Sequence, residues 1–400
     1  MPPQAGVKAG AISVRARATT EIKGFYLGAG CIPFPGRAVR AAAVDGVVDA
    51  TAYGPVAPQP SDGSRGTRQH LFAGAPEANP AQDEFECLRL NVYTPESVVS
   101  SSAAATVPVL VWIHGGGWAF KNGNTDYYGK PIVFVSINYR LGFLGFSSSA
   151  ELAEEAAAHG EDGWANQGLH DQRLALQWVN KHTHLFGDDA SRVTIAGESA
   201  GAWSVQAHLR SNQPLCQRGL MQSTPSWSIL APDEAQARFN EVVARAGVPA
   251  SAPGAQKLAA LRAASTEDLM AWNSPVTSPA WDAQFSVGLG RSRACAPLDT
   301  LRETLPFAPD AVVHTLRWAL ALPSDPAFAG DVMAAYGVED APSDAAAVQA
   351  FVAILADACF SAVPWNLAAR GIDTEATTYP PVYVYRFDQP DVEEGSELEG

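Results

Sequence analysis

The sequence predicts an α/β fold in which a largely parallel central sheet is flanked by helices. Three observations carry that expectation. Val107–Ile113 and Ile132–Tyr139 are nearly continuous apolar runs, the pattern of parallel strands covered on both faces. Gly168–His182 places Leu169, Leu176 and Val179 on one side, as an amphipathic helix does. Val193–Ala196 is a short β-rich run that leads through a glycine-flanked turn into helix-compatible residues from Ala200 to Arg210. Strands alternating with helices are wound into a parallel sheet, because a parallel connection has to cross back over one face.

The remaining elements follow in order. Residues Ala11 to Ala50 mix short apolar runs with Gly and Pro and read as edge strands and turns. Tyr53 to Asn79 is rich in Pro, Gly and Ser and reads as a surface loop. Leu88–Tyr93 alternates as a strand does, and Gly219–Ser223 is the strand after the elbow helix. Pro232 to Ala271 is Ala-rich and helical, Trp281 to Pro309 is irregular, and Pro326 to Ala369 holds two or three more helices. Val382–Phe387 reads as a late sheet strand, and the acidic text from Asp391 to Gly400 as a disordered end. No internal repeat and no linker divides the text, so residues 1–400 are expected to form a single domain.

Composition narrows the function classes. In 400 residues, 47% are hydrophobic and 17% charged, which suits a large core, and the formal net charge of −15 disfavours nucleic acid and anionic membrane surfaces as partners. No run of about 18 apolar residues suggests membrane insertion. No leader pattern is visible at Met1, so a cytoplasmic location is expected, with secretion as the alternative for a chain whose leader is missing from the text. The five cysteines (Cys31, Cys87, Cys216, Cys295 and Cys359) are scattered without metal spacing or a disulfide framework, and neither metal nor cofactor is expected.

The chemistry-bearing text is Gly197-Glu-Ser-Ala-Gly201. It fits G-x-S-x-G, the nucleophile elbow of α/β-hydrolases, and it stands in the strand–turn–helix context that the motif requires. The turn would lift Ser199 Oγ to the top of the sheet, within reach of a base. A second motif, His114-Gly-Gly-Gly-Trp118, directly follows the strand that ends at Ile113. A glycine run there bares backbone N–H groups that can point at a developing oxyanion. Alone, either motif also fits a plain loop or strand connection; each is given weight by the other.

With these motifs the sequence resembles the type-B carboxylesterase/cholinesterase family. The matching text is Glu86–Pro95, Trp112–Trp118, Asn138–Phe146, Asn166–Val179 and Gly197–Gly201, and the resemblance is strong from Val47 to Pro225. It implies an α/β-hydrolase fold, hydrolysis of small-molecule esters through an acyl-enzyme, and no cofactor. It implies Ser199 as nucleophile, the N–H groups of Gly116, Gly117 and Ala200 as the oxyanion hole, Glu198 as electrostatic neighbour, and Trp118 on the acyl side of the gorge.

Some positions depart from the family pattern. A serine nucleophile needs a base and an acid that orients it, in the chain order Ser, acid, His. Only His208 and His314 follow Ser199. His208 falls two to three turns along the elbow helix and is expected to point away, and His314 precedes the late strand rather than following it. The family's His loop follows that strand, and Asp391–Gly400 holds no His. The expectation is a chain truncated before the His loop, with an incomplete triad. Cys295 falls near the acid's place, with Asp299 and Glu303 as alternatives. Asp126–Lys130 runs straight into the next strand where relatives carry a further helical stretch. Ala57 stands where relatives hold a Cys, so Cys87 is expected outside the family's disulfide. Glu77 and its neighbours fill the stretch in which choline-specific relatives carry a Trp, so no cation–π platform is expected. The competing readings are an ester hydrolase and a catalytically impaired member that acts as a binding domain or is an incomplete gene product. Oligomeric state, acyl preference and alcohol preference are left open.

Overall fold

The computed structural model describes strand backbone at residues 6–9, 12–16, 21–26, 28–29, 40–41 and 47–50. It then describes residues 52–59, 80–95, 98, 107–124, 132–159, 165–186, 188–211, 215–225, 229–272, 279–280 and 334–335. The expected helices of Pro326–Ala369, apart from residues 334–335, lie outside these, as do the strand Val382–Phe387, the irregular stretch after Trp281, the segment Asp126–Lys130 and the acidic end.

The amino-terminal text forms β1 (Gly6–Ala9), β2 (Ile12–Ala16), β3 (Glu21–Tyr26), β4 (Gly28–Ala29), β5 (Arg40–Ala41) and β6 (Val47–Ala50). β1, β2 and β6 make a small sheet, and β4 pairs with β5. β3 leaves this group and becomes the margin of the main sheet. The main sheet is completed by β7 (Arg89–Tyr93), β8 (Val107–Ile113), β9 (Val133–Ile137), β10 (Asp188–Glu198) and β11 (Arg218–Gln222), in the order β11-β10-β8-β9-β7-β3. β11, β10, β8 and β9 run parallel, while β7 is antiparallel to β9 and β3 antiparallel to β7.

The register explains the apolar runs. Val109, Val111 and Ile113 of β8 stand beside Val133, Val135 and Ile137 of β9, and all six are buried. β9 is buried at every position, as expected of a covered parallel strand. β8 departs from that expectation, since Leu110 and Trp112 on its other face are only half-buried. β11 lies at the sheet margin and is mostly exposed.

Helices fill the crossovers. Between β9 and β10 come α1 (Gly142–Phe146), α2 (Ala150–Ala158) and α3 (Gln167–His182). α4 (Ala200–Leu209) joins β10 to β11. α2 starts where the Ser149 side chain accepts from the Leu152 N–H (3.2 Å), an N-cap. α3 buries Leu169, Ala175, Leu176 and Val179, and also a full ion pair. Asp171 accepts from the Arg140 backbone N–H (3.0 Å), Nε (2.7 Å) and Nη2 (2.7 Å), tying the end of β9 to α3. The fork geometry satisfies both carboxylate oxygens, and a pair this deep is tolerated only on that condition.

A second apolar core lies apart from the sheet. α5 (Pro232–Arg245), α6 (Gly254–Ala263) and α7 (Thr266–Trp272) bring Phe239, Val242, Val243, Leu258, Leu261 and Leu269 against Phe143, Leu144 and Leu152. Two ion pairs fasten α6 to α2, Lys257–Glu151 at 2.6 Å and Arg262–Glu155 at 2.5 Å. Among the described residues no helix is long and apolar enough to cross a membrane.

The segment expected to be a surface loop from Tyr53 is not one at its start. Val56 and Ala57 are buried, and Val56 bridges Gln82 as a short parallel pair. Pro and Gly mark a change of direction but carry no information about depth, and the small apolar Val56 and Ala57 fit into the core. Cys87 shares that core cluster with Ala57, and its thiol donates to the Glu84 carbonyl at 3.7 Å.

The winding locates a crevice. From β8 the chain moves outward to β9, but from β10 it moves the other way, to β11. The order reverses between β8 and β10, and loops that leave in opposite directions open a cleft at their carboxyl ends. Both sequence motifs lie there.

Candidate active site

Ser199 stands between the last residue of β10 and the first of α4, with φ 55° and ψ −121°. A side chain with positive φ is strained, and it persists where surrounding bonds over-determine the backbone. Here the Ser199 N–H donates to the Gln222 carbonyl at the end of β11 (2.9 Å), and its carbonyl accepts from the Trp203 N–H in α4 (3.0 Å). The flanking glycines are required by crowding. A Cβ on Gly197 would lie 2.5 Å from the Gly201 carbonyl carbon, and one on Gly201 would lie 2.1 Å from the Ile113 oxygen. β8, β10 and α4 meet at distances that leave no room for a methyl group.

The glycine loop after β8 lies directly on this elbow. A Cβ on Gly115 would stand 2.6 Å from Glu198 Oε2 and 3.3 Å from Ser199 Cβ. Gly116 (φ 99°), Gly117 (φ 60°) and Trp118 (φ 54°) are consecutive left-handed residues, which turns the chain sharply. The Gly116 carbonyl accepts from the N–H groups of Ala119 (3.0 Å) and Phe120 (3.2 Å), closing the turn.

His114 anchors that loop. Its ring stacks on Tyr139 (centroids 4.3 Å apart), its carbonyl accepts from the Tyr139 hydroxyl (2.8 Å), and its Nδ1 is bonded to the Gly115 carbonyl (2.9 Å). Burial, with a smaller contribution from the Lys121 charge, lowers its pKa to about 3, so it is neutral at ordinary pH. Burial and the nearby Glu198 charge raise the Tyr139 pKa, which keeps the phenol protonated and donating.

Trp118 is wholly buried, packed edge-on against Trp203 and tilted against Phe146. Its Nε1–H donates to Ser204 Oγ (3.2 Å), which itself donates to the Ala200 carbonyl (3.0 Å) and accepts from Gln172 Nε2 (3.3 Å). Gln172 Oε1 bonds His208 Nε2 (2.9 Å). The ring therefore fastens the glycine loop to α4 from behind. Ser204 and Gln172 belong to no local motif of the sequence; their only signal is a polar residue on the buried face of each helix.

The expected neighbours are all described: Gly116, Gly117 and Trp118 on the loop that leaves β8, and Glu198, Ser199 and Ala200 at the junction of β10 and α4. His208 sits near the far end of α4, nine residues on, about 13 Å along the axis. It is buried on Gln172, and burial lowers its pKa to about 3. His314, Cys295, Asp299 and Glu303 lie outside the described residues.

One contact at the site joins the two loops through their side chains. Lys121 Nζ stands 3.5 Å from Glu198 Oε2. Lys121 is itself left-handed (φ 75°) and is clamped by Gln59, whose Oε1 accepts from the Lys121 N–H (2.8 Å) and whose Nε2 donates to its carbonyl (3.2 Å).

Residues 37–291 match the Carboxylesterase family. The chain is 38% identical over 207 residues to Lipase 4 of Diutina rugosa, covering 46% of this chain and 35% of that protein. It is 38% identical over 208 residues to the acetylcholinesterase of Bungarus fasciatus, covering 48% of this chain and 31% of that protein. It is 39% identical over 185 residues to the acetylcholinesterase of Danio rerio, covering 43% of this chain and 27% of that protein. The matched stretch thus spans about a third of the length of these curated relatives. A parallel sheet with a serine elbow at its reversal point and a glycine loop lying on it is the α/β-hydrolase fold, and the chain belongs to the carboxylesterase family.

Proposed function

We propose that the protein hydrolyses carboxylic esters of small molecules with Ser199 as nucleophile. The observation that carries this reading is the strained Ser199 backbone (φ 55°, ψ −121°) at the sheet's reversal point, with the Gly115 position packed against it. Strain held in place by glycine crowding on both sides aims a side chain into the cleft, and a core serine has no need of it.

In this reading Ser199 Oγ attacks the ester carbonyl, and the N–H groups of Gly116, Gly117 and Ala200 take up the charge that develops on the carbonyl oxygen. Ala200 opens a ten-residue helix, so the positive end of the α4 dipole adds to that charge stabilisation. The alcohol leaves, an acyl-enzyme remains, and water releases the acid. Trp118 acts from behind, holding the glycine loop at its distance from α4 through Ser204. His114 and His208 are each engaged in the core and are not assigned as the base.

The test is the initial rate on an aryl butyrate, together with labelling by a fluorophosphonate, for wild type and Ser199→Ala. With a base within reach of Ser199, the reading expects labelling at Ser199 and a loss of roughly 10⁴-fold or more in the variant. A rate that survives Ser199→Ala, with no labelling, overturns it and favours an impaired family member that binds without turnover.

A further inference from the structure

We propose that Lys121 sets the charge selectivity of the cleft: by neutralising Glu198 beside the nucleophile, it directs the site to esters with uncharged acyl and alcohol groups and denies an advantage to cationic ones. This rests on the assignment of Ser199 as nucleophile.

Glu198 is the last residue of β10 and the immediate neighbour of Ser199, and its Oε2 lies 2.6 Å from where a Cβ on Gly115 would stand. A carboxylate so placed attracts any cation that enters. The chain's net charge of −15 adds a field of the same sign. Lys121 opposes both. Its Nζ is 3.5 Å from Glu198 Oε2, and the two side chains are 23% and 28% exposed. That depth leaves the pair partly shielded from water, so the mutual cancellation is not screened away as it is on an open surface.

The placement of Lys121 is built rather than incidental. Lysine is disfavoured at φ 75°, a conformation that glycine takes freely. The Gln59 amide holds the Lys121 backbone there from both sides. Gln59 is held in turn, its Nε2 donating to the Ala57 carbonyl (3.2 Å) and its N–H to Gln82 Oε1 (2.8 Å). Two segments distant in sequence therefore fix a strained backbone whose side chain reaches the residue next to the nucleophile. The electrostatic consequence is a cleft with a paired carboxylate rather than a lone one.

The experiment uses Lys121→Met, which keeps the stem and the backbone conformation and removes the charge. The first arm compares kcat/KM for a trimethylammonioethyl ester and its uncharged isostere, the 3,3-dimethylbutyl ester. Wild type is expected to treat the two alike, and Lys121→Met to gain roughly tenfold for the cationic ester, the scale of one uncompensated charge at several ångströms in partly shielded surroundings. An unchanged ratio overturns the proposal and leaves the hydrolase reading standing. The second arm needs no turnover: titration of phenyltrimethylammonium into wild type, Lys121→Met and the Lys121→Met/Glu198→Gln double variant. Lys121→Met should bind the cation about tenfold tighter than wild type, and the double variant should lose that gain. Equal binding by all three overturns the proposal even where Ser199 proves to catalyse nothing. A gain that persists in the double variant also overturns it, since the effect would then not run through Glu198.

Discussion

Among the described residues between 118 and 223, five non-glycine residues hold positive φ: Trp118, Lys121, Asn166, Ser199 and Ser223. In the helical layer of residues 230–272 the described residue with positive φ is a glycine, Gly247, one residue past the cap of α5. Four of the five strained residues follow the carboxyl ends of β8, β10 and β11, where the cleft opens. The helical layer keeps the ordinary rules instead. α5 begins with Pro232, and the Glu234 carboxylate accepts from the Ala231 N–H (2.7 Å), half of a capping box, since alanine has no oxygen to return the bond. The contrast teaches where the fold spends conformational energy. Strain of this kind costs of order 1–3 kcal/mol per residue and is retained where a side chain must be aimed.

The comparison can be broken most directly at its deepest support. Asp171 answers three donors of Arg140 and holds the end of β9, beyond which α1 begins, against α3. Asp171→Ala leaves a guanidinium buried without its carboxylate. The expected loss is about 3–5 kcal/mol in urea unfolding. A loss near that of a surface ion pair would mean that the sheet region is not braced from below, and that its strain is held by the loops themselves.

A pair of glycine substitutions sharpens the contrast with less disturbance. Gly201→Ala places a methyl 2.1 Å from the Ile113 carbonyl, between β8 and α4, and neither backbone can retreat without opening the elbow. The expected cost is about 3 kcal/mol, with loss of fluorophosphonate labelling at Ser199. Gly247→Ala meets nothing within 4 Å and has only its φ of 75° to answer for. About 1 kcal/mol is expected there, with labelling unchanged. Equal costs would show that backbone conformation, not close approach, makes glycine necessary at the elbow.

The same contrast decides what could be read from the sequence. β8, β9, α3 and the elbow were legible because each is a local pattern, an apolar run, a helical period or a glycine-flanked turn, and their pairing follows from the rules of parallel sheets. The helices between Pro232 and Trp272 were legible for the same reason. The buried start of the Tyr53 segment was not, because a Pro- and Gly-rich composition reports turning and not depth. Nor was the Lys121–Glu198 pair, whose members are 77 residues apart and stand alone in their segments. Isolated charges have no period. Only the folded position of Gln59, a further 62 residues before Lys121, explains why that lysine is where it is. Ser204 and Gln172 are a middle case, visible as polar residues on buried helix faces but not assignable to each other without the packing.

The smallest expected effect belongs to the helical layer and depends on acid. Burial alone would raise the Glu151 pKa, but the bonds from Lys257 (2.6 Å) and Gln236 (3.0 Å) outweigh it and bring it down to about 2. The ordinary value is 4.5, so the folded state holds this carboxylate charged over a range in which the unfolded chain protonates it. Its contribution is therefore fully present above about pH 4.5, and it is lost as pH falls from there through about 2. Glu151→Gln removes the charge at every pH and keeps the shape. At pH 7 the variant should unfold at lower urea than wild type, and the gap between the two midpoints should close progressively between pH 4.5 and pH 2. Taking the difference between two chains cancels every other titrating group that they share. A gap that stays constant over that range would mean that the Lys257–Glu151 pair holds α6 to α2 by packing of the two side chains rather than by charge.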